Sequence, residues 1–127
     1  MTRLAAAYCL VLIGLVLIAD LGLLNAVGHF VEQYPVLDKV IHFVMYGVLA
    51  LLANAALAGR RGWSVARAVA TSSVIVLIAS TAEEFSNVFT MHRTCSWGDL
   101  AANYLGIVCL GILPFLIRQP KPAAEQG

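Results

Sequence analysis

Four apolar stretches, each long enough to cross a bilayer, leave this chain very few folds. Residues 4–19 carry no charge, and the apolar character continues past Asp20 to about residue 24. Residues 40–59 and 68–82 are also uncharged. The second of these reaches back to Ser64 if Arg67 lays its stem on the apolar surface and keeps its guanidinium at the interface. Residues 100–117 form the fourth stretch. A helix needs about 20 residues, at 1.5 Å each, to cross a ~30 Å hydrocarbon core. The pattern therefore predicts an all-α, polytopic membrane protein. It forms a single domain, 1–127, in which four transmembrane helices at about 4–24, 38–59, 64–84 and 99–117 pack as a bundle.

Composition agrees. The chain is 61% hydrophobic and 12% charged, against roughly 25% charged in an average soluble domain. A soluble domain of this size buries too small a fraction of its surface to hide so much apolar area. The net charge of +1 offers no basis for nucleic-acid binding. The first stretch reads as a retained helix, since it exceeds a usual signal core and no small-x-small cleavage site follows it.

Arg3, Arg60, Arg61, Arg67, Arg118 and Lys121 fall on one side of the predicted membrane, with Lys39 and Arg93 on the other. Short loops rich in Lys and Arg stay in the cytoplasm, so both termini are expected inside a multi-pass cell-membrane protein. Glu32, Asp38, Glu83, Glu84 and Asp99 lie toward the outer side, as do His29, His42 and His92. Polar chemistry is therefore expected on the outer face, with Glu83 and His92 read as solvated. Cys9 and Cys109 fall within spans and Cys95 in an outer loop, so no disulfide is expected.

Between the first two spans, Ala26, Val27, Phe30, Val31 and Tyr34 recur at helical spacing, the pattern of a short helix in the membrane interface. Pro35 suits the first turn of the second span, and Asp38 stands near that helix's positive end. Gly59-Arg60-Arg61 is a stop signal with cations at the negative end. Ser96-Trp97-Gly98-Asp99 has the form of a capping box. Ala102 and Gly106 offer a small face for close packing, and Pro114 should bend or end the last helix.

Three segments carry a polar cluster. Asp38, Lys39, His42 and Tyr46 open the second span; Glu84 and Asn87 close the third; Arg93, Ser96, Asp99 and Asn103 lead into the fourth. Asp38, His42 and Tyr46 are spaced by four and share one helix face. Ionisable residues at membrane depth are expensive and usually paired, which makes the set a candidate ligand-binding or structural site. Structural roles compete for each member. Asp99 serves as a cap, Asp38 as a dipole complement, and Arg93 as a bidentate clamp on Glu84 and Asp99. No Cys/His spacing typical of zinc is present, and neither a metal nor another cofactor is assigned.

These residues resemble the VanZ-like family of small integral membrane proteins. Asp38-Lys39-Val40-Ile41-His42-Phe43-Val44-Met45-Tyr46-Gly47-Val48-Leu49 is similar to its D-K-x-x-H-F-x-x-Y-x-x-L signature. Glu84, Arg93, Ser96, Asp99, Asn103 and Gly106 follow its E-x-x-Q and R-x-x-S-x-x-D-x-x-x-N-x-x-G patterns in order. Asn87 departs from the family's usual Gln, and Thr90-Met91-His92 from its Pro-Gly turn. The resemblance spans residues 38–106. It implies a cell-envelope setting and a link to teicoplanin resistance, without an agreed reaction.

Three function classes follow. The favoured one is a non-catalytic envelope protein whose outward cluster binds an envelope lipid or a glycopeptide-like ligand. The second is an accessory subunit packed against other membrane proteins. The third is an outer-leaflet enzyme using Asp38, His42, Glu84 and Asp99 as acid/base groups, or to hold a divalent metal.

Overall fold

The computed structural model describes residues 1–91 and 95–118. Its architecture is all-α. Helix α1 spans Thr2–Asp20, α2 Asn25–Glu32, α3 Pro35–Ala58 and α4 Val65–Ser86. A short 3₁₀ turn, Asn87–Phe89, extends α4. Helix α5, Trp97–Gly106, continues through a π-helical segment, Ile107–Ile112, into α6, Leu113–Ile117.

Four of these units are long and apolar enough to cross a membrane: Thr2–Asp20, Pro35–Ala58, Val65–Phe89 and Trp97–Ile117. The protein is a small multi-pass membrane protein. Its outward surface says the same. Ile13, Leu17, Ile75, Ile78 and Leu105 are each more than half exposed, on a scale that water does not tolerate and lipid does.

The first span stops at Asp20, four residues short of the expected end. Gly22 adopts φ 74°, a left-handed conformation that glycine reaches without steric cost and that turns the chain toward α2. Pro35 occupies the first turn of α3, where its missing N–H costs nothing. Ser64 caps α4 by accepting from the Arg67 N–H at 3.2 Å.

Proline lacks the N–H that would continue the i→i−4 ladder, and the last helix ends at Ile117, three residues after Pro114. The unexpected feature is a run of wider π turns before the proline, over Ile107–Ile112. Such turns often relieve local misfit in a helix.

Helix α3 is the centre of the bundle, packing against α1, α2, α4 and α5. It runs parallel to α5. Lys39 meets Asp99 and His42 meets Asn103, at sequence separations of 60 and 61. Deeper in, a Cβ on Gly47 would lie 2.8 Å from the Gly106 carbonyl oxygen, and one on Gly111 would lie 2.5 Å from Ala50 Cβ. Glycines thus set the contact distance, as in other close-packed membrane helices. Helix α4 runs antiparallel to α3, since Tyr46 reaches Glu83 while Asn54 reaches Ser73. Helix α1 is held more lightly; its Tyr8 hydroxyl donates to the Met45 carbonyl at 3.2 Å.

Candidate functional site

At the end of the bundle where α3 and α5 both begin, Asp38 and Asp99 stand in the first turns of their helices. Backbone N–H groups there favour negative charge. The Lys39 ammonium bridges the two carboxylates, donating to Asp38 Oδ2 at 2.9 Å and to Asp99 Oδ1. Gly98 makes the bridge possible, because a Cβ at that position would lie 2.8 Å from Lys39 Cε.

His42, one turn below Asp38, sits between the same carboxylates. Its Nδ1 lies 3.0 Å from Asn103 Oδ1. A carbonyl oxygen only accepts, so Nδ1 carries a proton, and in the neutral ring Nε2 is the nitrogen with the free lone pair. Nε2 is 3.9 Å from Asp38 Oδ1 and 3.9 Å from Asp99 Oδ2, too far for a hydrogen bond to either. Asp38, His42 and Asp99 each offer one ligand atom, all within 4.8 Å of one another, a set able to hold a metal ion.

The third group arrives from α4. Glu84, 1% exposed, accepts from the Ser96 backbone N–H at 2.6 Å through Oε1. This corrects the expected capping box. The Ser96 side chain does cap the Asp99 N–H, at 3.4 Å. The reciprocal bond is made by Glu84 from another helix, because Lys39 engages the Asp99 carboxylate. Tyr46 donates its hydroxyl proton to Glu83 Oε2 at 3.1 Å. Glu83 is therefore part of the helix interface and only half-exposed, not the solvated residue its sequence position suggests.

Asn87 is buried beside this group, and Asn103 is completely so. Glu84 Oε2, Asn87 Oδ1 and Asn103 Nδ2 are buried without a hydrogen-bond partner among the described residues. Unpaired polar atoms of this kind are costly and call for a physical reason. Arg93, expected to clamp Glu84 and Asp99, lies outside the described residues, as does His92. The other nine candidate residues converge on this end of the bundle.

Beside the cluster a cavity of about 320 Å³ opens between α1, α2 and α3. Leu15, Val16 and Ala19 of α1, with Val27 and Val31 of α2, form an apolar wall, at whose edge α2 also brings Asn25, His29 and Glu32. Asp38, His42, Tyr46, Glu83 and Asp99 form its polar side. One flank suits a hydrocarbon and the other suits a polar group.

A second polar cluster, unanticipated from sequence, lies farther along α3. Asn54, fully buried, donates to Ser73 Oγ at 3.2 Å and to the Gly111 carbonyl at 2.8 Å. It also accepts from the Ser72 hydroxyl. The available signal was an asparagine in mid-span and two consecutive serines in the next one. Its saturated bonding makes it a tie between α3, α4 and the π-helical segment. The three cysteines are unpaired, with Cys95 and Cys109 exposed.

Comparisons with protein-family models, curated proteins and solved structures return no match. The functional reading therefore rests on the geometry and on the motif resemblance.

Proposed function

We propose that this chain is a VanZ-like envelope protein that binds an amphiphile, a membrane lipid or a lipid-linked envelope precursor, without turning it over. The cavity between α1, α2 and α3 carries this reading. Its apolar wall accommodates part of an acyl chain, and its polar side presents carboxylates, an imidazole and a phenol to a head group. Binding pockets commonly combine an apolar lining with a few polar groups that fix orientation. The excess of Lys and Arg in the opposite connections supports cytoplasmic termini, and with that orientation the cavity faces the outer leaflet.

Native mass spectrometry of the protein released from mild detergent tests this. The expected result is a stoichiometric lipid adduct that disappears in Gly28→Trp. Gly28 lines the cavity, and a Cβ there meets nothing within 4 Å, so the indole fills the space without clashing at its root. A lipid-free protein, or an adduct that survives the substitution, rejects the proposal.

A second reading, accessory subunit of a larger complex, draws on α1. Only 6% of its span is buried, against 28–33% in the other three. A stoichiometric protein partner in the same spectra, lost when exposed α1 residues are changed, would favour it.

A further inference from the structure

We propose that Asp38, His42 and Asp99 form a binding site for a divalent transition-metal ion of the zinc type, open toward the cavity. This goes beyond the amphiphile reading and does not depend on it, because ion binding is measured without added lipid.

The arrangement of individual atoms carries the proposal. Each carboxylate is divided between two tasks. Asp38 Oδ2 and Asp99 Oδ1 are held by the Lys39 ammonium. The other two oxygens, Asp38 Oδ1 and Asp99 Oδ2, both face His42 Nε2 at 3.9 Å. No hydrogen bond forms across such gaps. Zinc–nitrogen and zinc–oxygen bonds of about 2.0–2.2 Å put tetrahedral ligands about 3.4 Å apart. The three atoms here lie within 4.8 Å of one another, with Nε2 3.9 Å from each oxygen, so they draw together to hold an ion.

The imidazole is prepared for the task. Asn103 Oδ1 at Nδ1 fixes the tautomer that leaves the Nε2 lone pair available. Metal-binding histidines characteristically donate their second N–H to such a partner. Lys39 plays the corresponding outer role for both carboxylates, aiming their free oxygens inward.

Charge points the same way. Asp38 and Asp99 share the single ammonium of Lys39 among the described residues. Glu84 is almost fully buried at this end of the bundle, and its Oε2 lacks a hydrogen-bond partner among the described residues. A buried polar atom of this kind calls for a partner, and a cation carrying a bound water beside Asp99 and His42 supplies one. Three protein ligands leave a fourth position for water or a ligand oxygen, as at open zinc sites. All three residues line the cavity, so that position is reachable from it.

The test uses the full chain in detergent, stripped with a chelator and titrated with Co²⁺ and then Zn²⁺ alone. The expected result is one equivalent of Co²⁺ with visible d–d absorption, displaced by Zn²⁺. His42→Ala leaves the Lys39 bridge intact and should weaken binding at least 100-fold while helix content is unchanged. Asn103→Ala should weaken it about 10–100-fold, the usual effect of removing an outer partner. Cys109→Ser should change nothing, because that exposed thiol stands on the π-helical segment and does not line the cavity. Absence of stoichiometric binding overturns the proposal. So does binding that survives His42→Ala or is lost in Cys109→Ser.

Discussion

Glu84 on α4 and Ser96 at the head of α5 are joined by a 2.6 Å hydrogen bond, from the Ser96 backbone N–H to the Glu84 carboxylate. One helix thus caps another. An unmade bond would strand a backbone donor at the start of a span, where lipid offers no substitute. Glu84→Ala should lower stability by about 1–3 kcal/mol, the cost of leaving a buried group unsatisfied. Glu84→Gln, which keeps an acceptor oxygen, should lose less. Thermal unfolding in one detergent, followed by circular dichroism, ranks the two; equal losses would show that the acceptor does not matter.

Lys39 is a shared counter-ion, and removing it leaves two carboxylates facing each other. Lys39→Met should therefore destabilise, by less than the ~3–5 kcal/mol typical of a fully buried pair, because the Lys39 side chain is 38% exposed. Adding Asp99→Asn to that variant should recover part of the loss. A double-mutant cycle on unfolding midpoints reads the coupling directly. Strict additivity would contradict the bridge.

Gly106 sits where α5 touches α3, and a Cβ there would collide with the Phe43 carbonyl oxygen. The obstacle is backbone and cannot swing aside. Gly106→Ala should cost about 1–3 kcal/mol by overpacking. Gly14, with nothing within 4 Å of its would-be Cβ, is the matched control. Gly14→Ala should be neutral, or stabilising by up to about 1 kcal/mol through helix propensity.

The motifs around the site mark its members more readily than its bonds. The four uncharged stretches specify the spans, because nothing else explains such runs. Spacing by four places Asp38, His42 and Tyr46 on one face, since that interval is close to a full helical turn. Pairing across helices is different. Glu84 capping Ser96, and Glu83 meeting Tyr46, depend on the rotation of α4 against its neighbours, which local periodicity leaves open. The π-helical turns before Pro114 were likewise hidden, for they answer both the proline and the approach of Ala50 to Gly111.

Asn54 is hard to read from sequence for a related reason. A single asparagine within an apolar run looks like a tolerated exception until its partners are seen. Asn54→Ala should lower stability by about 1–3 kcal/mol, because it strips bonds from Ser72, Ser73 and the Gly111 carbonyl at once. Asn54→Ala with Ser72→Ala and Ser73→Ala should cost less than the sum of the separate changes. Additive losses in unfolding measurements would argue against one connected network.

The proposed orientation, drawn from the basic residues, is open to chemical labelling. Cys95 is exposed at the cluster end of the bundle. A membrane-impermeant maleimide applied to intact cells should label Cys95 and miss Gly62→Cys in the opposite turn, made in a Cys95→Ser background. The reverse pattern would invert the topology.

The parallel pairing of α3 with α5 also has a consequence in time. Lys39 leaves the ribosome 60 residues before Asp99, which at about 5–20 residues per second is roughly 3–12 s of synthesis. Throughout that interval the second span must enter the bilayer with Asp38 as the neighbouring counter-charge and with His42 lacking its amide. The cluster is completed only when the last helix arrives. A chain interrupted before Asp99 would then expose an unfinished polar seam within the membrane, a natural mark by which quality-control proteases tell incomplete copies from finished ones.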